Sequence, residues 1–310
     1  MKKTLAIAVL ATLLTGCTIM KVYLRDELQP LEERIVSGTG REKILLLDIS
    51  GTISNRESGS LLGDGKEPGM LSRLREELDR AAADTAVKAL VIRINSPGGT
   101  VSASDMLHHE LLAFKRRTGI PVVAHMMDVA TSGAYYAVLA ADRITAQPTT
   151  VTGSIGVVMY RIDATGLMQK IGIQAVEIAS GERKGMGSPF REMAPAEKNI
   201  FQKVINELHG RFVDIIAESR HMPRDRVVPL ADGRIFTSRE AKEAGLIDDV
   251  GYLEDAIAAA QQLAKVREAS VVRYTRPGEY RANIYSMSLI NVNLGDLVDP
   301  GMHFLYVWWP

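Results

Sequence analysis

The sequence predicts an α/β fold in which helices pack on a mainly parallel sheet. Short apolar runs that end at turn residues alternate along the chain with segments of helical periodicity, and this alternation is typical of parallel sheets. The chain has 310 residues, of which 46% are hydrophobic and 24% are charged. That length and composition suit one large domain or two smaller ones, each with a buried core.

The predicted elements follow in order from residue 43. Strands are predicted at 44–47, 89–94, 122–126 and 174–178, and an edge strand at 271–274. Helices are predicted at 70–83, 102–115, 132–141 and 196–219, where apolar residues recur at helical spacing. Polar, Gly-rich stretches at 54–67 and 180–191 predict loops.

The first residues carry the features of an export signal. Lys2 and Lys3 precede an apolar run at 5–14, which is shorter than the roughly 20 residues that a membrane-spanning helix needs. The run leads into Leu-Thr-Gly-Cys, which resembles the bacterial lipobox, so we expect lipidation of Cys17 after removal of residues 1–16. A signal or short anchor with an incidental cysteine is the alternative. Cys17 is the only cysteine, which excludes an internal disulfide and a thiol metal site.

Charge and histidine spacing exclude further classes. Lys+Arg and Asp+Glu both number 37, and this balance gives no reason to expect a nucleic-acid partner. The six histidines show no spacing that suggests a metal site, so no metal is expected. His108, His109 and His209 fall in helical stretches and are expected at the surface.

Two segments that each follow a strand and open a helix are candidates for chemistry. They are Asn-Ser-Pro-Gly-Gly at 95–99 and Ala-Thr-Ser-Gly-Ala-Tyr-Tyr at 130–136. Free backbone N–H groups at a helix start can bind a developing negative charge, and Gly98 and Gly99 allow a substrate to approach the backbone closely. Ser132 would lie at the positive end of its helix. The same residues also suit a plain turn and a helix N-cap.

Lys184 is a third candidate, because it lies in the Gly-rich loop at 180–191. A lysine acts as a base only where burial or a neighbouring cation favours its neutral form. Arg183 is adjacent in sequence, but most loop lysines are solvated, so the residues alone leave this role open.

These segments together resemble the signal peptide peptidase A family of serine peptidases, in its shorter single-repeat form. The similarity covers roughly residues 44–263. The shared stretches are Ser-Pro-Gly-Gly at 96–99, Ser-Gly-x-Tyr-Tyr at 132–136, Thr-Gly-Ser-Ile-Gly-Val at 152–157, Ser-Gly-x-x-Lys at 180–184, Ser-Pro-Phe-Arg at 188–191, and the segments at 233–237 and 244–248. Ala134 stands where many members have glycine, a change that a helix interior accepts readily.

By position, the resemblance implies that Ser132 is the nucleophile and that Lys184 is the general base. The glycines of the 96–99 turn match the residues whose backbone N–H groups help to form the oxyanion hole, and the N–H of Gly133 is expected to join them. Ser154 lies where the family keeps a hydroxyl near the lysine. No cofactor is implied.

The resemblance also implies the architecture and the substrates. The family's fold is similar to that of ClpP and the crotonases, with stacked ββα units, and its members are ring-like homo-oligomers. In the single-repeat form, the serine and the lysine of one site come from neighbouring protomers. The implied substrates are cleaved signal peptides and other unstructured, apolar segments at the membrane.

The chain is then divided into four parts. We expect a lipoprotein signal peptide at 1–16, an anchor and spacer with a short amphipathic helix at 17–40, a peptidase domain at 41–265 and a C-terminal extension at 266–310. The expected location is the cell envelope, anchored to a membrane through Cys17. Three interpretations of the apolar tail at 302–310 remain open, namely packing on the protein, membrane contact, or a self-bound peptide in the active-site groove.

Three other functions compete with a peptidase. A non-catalytic lipoprotein that serves as a scaffold or a peptide-binding module on the same fold is disfavoured because Ser132 and Lys184 fill both dyad positions. An acyl-CoA enzyme of crotonase type is disfavoured by the lipobox. An ester hydrolase with the same dyad is separated from a peptidase only by its turnover of peptides and esters.

Overall fold

The computed structural model describes residues 29–55, 68–277, 283–285 and 304–308. The expected signal peptide, Cys17 and most of the predicted loop at 54–67 lie outside the described residues. None of the described helices combines the length and the apolar character that crossing a membrane requires.

The strands form a main sheet and a small second sheet. The strands are β1 Glu32–Ser37, β2 Glu42–Ser50, β3 Val87–Ser96, β4 Gly98–Thr100, β5 Val122–Thr131, β6 Arg143–Ala146, β7 Val151–Gly153, β8 Val158–Met159, β9 Ile235–Thr237, β10 Asp249–Val250, β11 Ala269–Thr275 and β12 Phe304–Val307. The main sheet runs β1-β11-β2-β3-β5-β6-β10, and β7 pairs with β5 and β9. Pairing is parallel from β11 through β2, β3, β5 and β6 to β10.

Helices cover both faces of this sheet. They are α1 Met70–Ala83, α2 Val101–Thr118, α3 Gly133–Val138, α4 Thr165–Lys170, α5 Pro195–Ser219, α6 Arg224–Val227, α7 Ser238–Glu243 and α8 Leu253–Ala264, with a short 3₁₀ turn at Val228–Leu230. The predicted α/β class with a mainly parallel sheet is confirmed.

The two hydrophobic clusters follow from the two-residue period of the strands. In β2, Leu45 and Leu47 pack into the cluster that α1, α2 and α5 share, whereas Ile44 and Leu46 pack against α8 on the opposite face. Because both faces are covered, the central strands read as continuous apolar runs. This explains why the strands predicted at 44–47, 89–94 and 122–126 are all present.

Two strand predictions are wrong. Residues 174–178 form no strand, and Val176 and Ile178 are 83% and 96% exposed. Their apolar character therefore does not come from burial in the sheet of this chain. The predicted edge strand at 271–274 is present as β11, but it lies inside the sheet between β1 and β2.

The segments that flank the predicted domain at 41–265 also differ from the predictions. Residues 32–37, expected in a helical spacer, form β1 and pair antiparallel with β11. The main sheet therefore extends beyond residues 41–265 at both ends. Helix α3 is shorter than the predicted 132–141.

Candidate active site

Ser132 stands at the sharp turn between β5 and α3. Its backbone has φ 52° and ψ −114°, a conformation that costs a non-glycine residue on the order of 1–3 kcal/mol. The turn is held in place because the Ser132 N–H donates to the Gly153 carbonyl at 2.7 Å, and the Ser132 carbonyl accepts from Tyr136 N–H at 2.9 Å. A strained strand-to-helix turn of this kind is how hydrolases present a nucleophilic serine.

The Ser132 side chain is buried without a partner. The residue is 1% exposed, and its Oγ has no hydrogen-bond partner among the described residues. Such a group costs about 1–3 kcal/mol and calls for an explanation. One explanation is a reactive serine whose hydrogen-bond partners, a substrate and a base, are absent from the described chain. The same observation argues against a Ser–His pair within the described chain.

Three glycines close around Ser132. Gly98 has φ +99°, and a Cβ there would lie 2.7 Å from the Gly133 nitrogen. A Cβ on Gly133 would lie 3.2 Å from the Gly99 nitrogen. Since Ser96 Oγ already accepts the Gly98 N–H at 3.1 Å, Gly99 and Gly133 are the neighbouring candidates for oxyanion donors. The predicted grouping of these glycines around the serine is therefore present.

The apolar tail lies in the groove beside these glycines. Strand β12 runs antiparallel between β4 and β8, with Tyr306 opposite Gly99 and Leu305 opposite Val158. Trp308 N–H donates to the Pro97 carbonyl at 2.9 Å. The tail therefore packs on its own chain, as the first of the three interpretations predicts, and it does so beside the candidate site residues that the third interpretation names.

One carbonyl of the tail points at the glycines. A side chain on Gly98 would collide with the Tyr306 carbonyl oxygen, and a Cβ on Gly133 would lie 3.0 Å from it. The Tyr306 carbonyl oxygen thus lies beside Gly98 and Gly133, two of the candidate oxyanion-site glycines. Sequence reasoning did not single out Tyr306, and its only signal was the apolar composition of the tail.

Ser154 follows β7, which pairs with the end of β5. Ser154 is 8% exposed and has φ 48°, and its N–H donates to the Arg234 carbonyl at 2.7 Å. Its chain neighbour Gly153 accepts the Ser132 N–H. Ser154 is therefore adjacent to the Ser132 turn through the backbone.

Within one chain, Lys184 makes no contact with Ser132 Oγ. Its side chain is exposed, and Ser132 Oγ bonds to no described residue. The Lys184 loop is nevertheless held. Arg191 donates to the Gly185 carbonyl at 2.9 Å and to Glu197 Oε2 at 3.1 Å, which ties the loop to α5.

The expectation that His108 is exposed is wrong. The residue is 6% exposed and packs edge-on against Tyr136 with ring centroids 5.4 Å apart. Burial lowers the pKa of His108 to about 4, although Asp105 acts in the opposite direction. It is therefore neutral at pH 7.

No group of three or more His, Cys, Asp or Glu among the described residues is arranged to hold a metal ion.

The fold and this geometry define a class. A buried serine at a strained turn, flanked by two backbone N–H donors and by a groove that holds an extended peptide, is the arrangement of a serine hydrolase.

Comparisons with known proteins narrow the class. Residues 114–267 match the model described as Peptidase family S49. A putative signal peptide peptidase SppA from Enterococcus faecium is 32% identical over 263 residues, covering 85% of this chain and 75% of that protein. A chloroplastic serine protease SPPA from Arabidopsis thaliana is 37% identical over 251 residues, covering 80% of this chain and 36% of that protein. A variant of ClpP1 from Listeria monocytogenes has a TM-score of 0.44 and 17% identity, covering 68% of this chain and 94% of that chain.

The chain belongs to the signal peptide peptidase A family of serine peptidases. Its enzyme class is therefore serine peptidase.

Proposed function

We propose that the protein is a membrane-associated serine endopeptidase with Ser132 as nucleophile and Lys184 as general base. The observation that carries the proposal is the tail strand. The groove holds a main chain in extended form with the Tyr306 carbonyl between Gly98 and Gly133. Antiparallel main-chain pairing binds a peptide whatever its sequence, which suits a protease of unstructured segments.

The proposed reaction has two stages. Neutral Lys184 takes the proton of Ser132 Oγ, which attacks the peptide carbonyl and forms an acyl-enzyme while the lysine protonates the leaving amine. Water then releases the acyl group with Lys184 again as base. The N–H groups of Gly99 and Gly133 stabilise the oxyanion, and each such donor typically contributes roughly 3 kcal/mol.

The base reaches the serine from a second copy of the chain. Lys184 is exposed in one protomer, and a lysine serves as a base at neutral pH only when it is desolvated or lies near another cation. The Lys184-bearing arm, residues 160–190, carries exposed apolar side chains that a partner would cover. They are Tyr160, Ile162, Leu167, Ile171, Ile173, Val176, Ile178 and Phe190. Assembly thus supplies both the base and the dry environment that it needs.

The substrates and the location follow from the same proposal. Cleaved signal peptides and other apolar, unstructured segments suit a groove that takes an extended strand. A lipid anchor on Cys17 would hold the enzyme at an envelope membrane, facing the periplasm or the outside, where such peptides accumulate. A single acyl chain binds a membrane only weakly, so stable attachment needs more than one acyl group on the protein.

The test is peptide hydrolysis by a soluble form that starts at residue 18. Wild type is compared with Ser132→Ala and Lys184→Ala on a fluorogenic peptide library. We expect each of the two substitutions to lower the rate of peptide hydrolysis at least ~10³-fold, because a nucleophile and its base act as a unit.

Lys170→Ala is the matched control, since Lys170 is an exposed lysine on the same arm, and it should stay close to wild type. Activity that survives both Ser132→Ala and Lys184→Ala would contradict the dyad. Turnover of esters without turnover of peptides would contradict the peptidase.

A further inference from the structure

Lys184 lies in a loop that is built from consecutive turns. Three main-chain hydrogen bonds of 3.0, 3.2 and 3.1 Å close these turns, in which the N–H groups of Lys184, Met186 and Ser188 donate to the carbonyls of Gly181, Arg183 and Gly185. The Lys184 side chain is exposed, and a solvent-facing turn opens easily on its own. Contacts from outside the turns therefore decide whether the loop keeps one conformation.

The guanidinium of Arg191 binds this loop at its centre. It donates to the Gly185 carbonyl at 2.9 Å and to Glu177 Oε2, on the segment before the loop, at 3.2 Å. The Gly185 backbone lies directly against the same carboxylate, because a Cβ on Gly185 would lie 1.9 Å from Glu177 Oε1. Gly185 is the chain neighbour of Lys184, so the backbone beside the proposed base is held from two sides.

Glu197 fixes the same guanidinium to α5. Arg191 donates to both carboxylate oxygens of Glu197, at 3.1 Å for Oε2, and such bidentate pairing sets orientation as well as distance. Glu197 is 5% exposed, and its Oε2 also accepts the Ala194 N–H at 3.3 Å. Phe212 and Ile216 of α5 lie in the main hydrophobic cluster. The loop is therefore tied to an element that the core holds in place.

The ion pair is charged at neutral pH. The hydrogen bonds from Arg191 hold the pKa of the Glu197 carboxyl below its usual range, although burial acts in the opposite direction. Exposed ion pairs contribute little to stability, but this carboxylate is buried and its partner binds the loop as well. The pair therefore serves to place the loop rather than to stabilise the fold.

A second guanidinium holds the end of the loop. Arg161 donates to the Ser188 carbonyl at 2.7 Å and also to the Arg191 carbonyl. Two arginines thus bind three main-chain carbonyls within residues 185–191. A lysine at position 191 would keep the charge, but it lacks the planar fork of donors that reaches a carbonyl and two carboxylates together.

We propose that Arg191 is a positioning residue for the general base, which fixes the loop at 180–191 so that Lys184 is presented to the serine of a second copy. The proposal rests on the proposed function, because it names the residue that orients the base of the same site. A misplacement of about 1 Å can lower a rate on the order of 100-fold. Loss of the fork should therefore lower kcat at least ~10-fold and leave KM little changed, because other segments form the groove.

Mixed assemblies test the proposal, because a positioning residue acts only in the chain that supplies the lysine. When Ser132→Ala and Lys184→Ala chains are reassembled together, the lysine of each restored site comes from the Ser132→Ala chain. Arg191→Gln added to that chain should lower the restored peptide hydrolysis at least ~10-fold. The same substitution added to the Lys184→Ala chain should leave hydrolysis unchanged. Equal loss in both pairings, as a failure to fold or to assemble would give, overturns the proposal.

Two further variants control this measurement. Arg75→Gln is matched to Arg191→Gln, since Arg75 in α1 also binds two carboxylates, Asp79 Oδ2 at 2.9 Å and Glu110 Oε2 at 2.8 Å. It should leave hydrolysis unchanged in either chain. Arg191→Lys keeps the charge without the fork and should lower hydrolysis as Arg191→Gln does. Full activity in Arg191→Lys would show that charge alone suffices and would overturn the proposal.

Amide hydrogen exchange tests the loop without catalysis. In the full chain carrying Ser132→Ala, Arg191→Gln should accelerate exchange at 184–188 by roughly five- to tenfold, because the turns open more often once a hydrogen bond to the loop is lost. Arg75→Gln should leave that exchange unchanged. Unchanged exchange in Arg191→Gln overturns the proposal even if the mixed assemblies are inactive. If exchange accelerates in a protein that cleaves no peptide, the proposed function falls and the hold of Arg191 on the loop stands.

Discussion

At the scale of residues, Ser132 carries two features that cost stability and that its proposed role as nucleophile would explain. It combines an unfavourable backbone conformation with a buried, unpartnered hydroxyl. Neither feature helps the fold, and strained residues persist only where the surrounding structure fixes them. Here the hydrogen bonds to Gly153 and Tyr136 provide that constraint.

This strain leads to a stability prediction. Ser132→Gly removes both the backbone penalty and the unpaired hydroxyl, at the cost of a more flexible unfolded chain. We expect the free energy of unfolding to rise by about 1 kcal/mol while peptide hydrolysis is lost. Denaturant unfolding of the soluble form measures the change.

Ser102→Gly is the control for that measurement. Ser102 is exposed within α2, where glycine should destabilise by about 0.5–1 kcal/mol. A Ser132→Gly protein that is destabilised as much as Ser102→Gly would show that the turn is not strained.

His125 predicts how stability depends on pH. It is fully buried in β5, with Nδ1 2.8 Å from Thr145 Oγ1. Burial lowers its pKa to about 4, although Asp255 and Glu254 act in the opposite direction. The unfolded chain binds a proton at this histidine near pH 6.5. The contribution of neutral His125 to the free energy of unfolding is therefore fully present above about pH 6.5, and it is lost as the pH drops towards 4.

The measurement is the midpoint of thermal unfolding between pH 4 and pH 8. His125→Gln should flatten the loss on the acid side, and part of the loss should remain because His108 has a similarly lowered pKa. A pH dependence identical to that of wild type would refute the assignment to His125.

The residues of the site differ in how well the sequence could reveal them. Ser132 and the glycines at 98, 99 and 133 stand at strand-to-helix junctions, which are local features, and the structure groups them as predicted. The positive φ of Ser132 and the place of Tyr306 depend on contacts between distant segments. No spacing along the chain encodes those contacts.

At the scale of elements, burial decides which predictions hold. The central strands are covered on both faces, so their apolar runs are unambiguous. Strand β1 has an exposed, irregular pattern, and nothing in its sequence separates it from a spacer. The run at 174–178 is apolar but exposed, and the sequence alone does not distinguish apolar residues that a partner chain covers from those of a strand.

The tail strand gives the prediction that belongs to this scale. Strand β12 occupies the groove between β4 and β8, so under the proposed function it competes with a peptide substrate. A tethered segment acts at an effective concentration in roughly the millimolar range. Deletion of residues 302–310 should therefore raise peptide hydrolysis severalfold, mainly through a lower KM.

The same deletion in the Ser132→Ala background controls for contaminating proteases and should show no turnover. An unchanged KM in the shortened wild-type chain would mean that the tail does not compete with substrate.

At the scale of the whole molecule, the two members of the proposed dyad lie apart within one chain. The serine, the oxyanion donors and the groove come together in the described chain, while Lys184 and the apolar arm at 160–190 stay exposed. A head-to-tail interface that closes into a ring joins one surface of a protomer to a different surface of the next. Such an interface would bring the arm of one copy to the serine of its neighbour.

The most direct test of this account is complementation between two inactive proteins. Ser132→Ala and Lys184→Ala are dissociated, mixed in equal amounts and reassembled, and peptide hydrolysis is measured. If each site takes its serine and its lysine from neighbouring copies, random mixing restores about a quarter of wild-type activity, because about one interface in four joins the two intact halves. Each of the two substituted proteins is expected to be inactive by itself. If the mixed assemblies are inactive as well, the result contradicts a site shared between protomers.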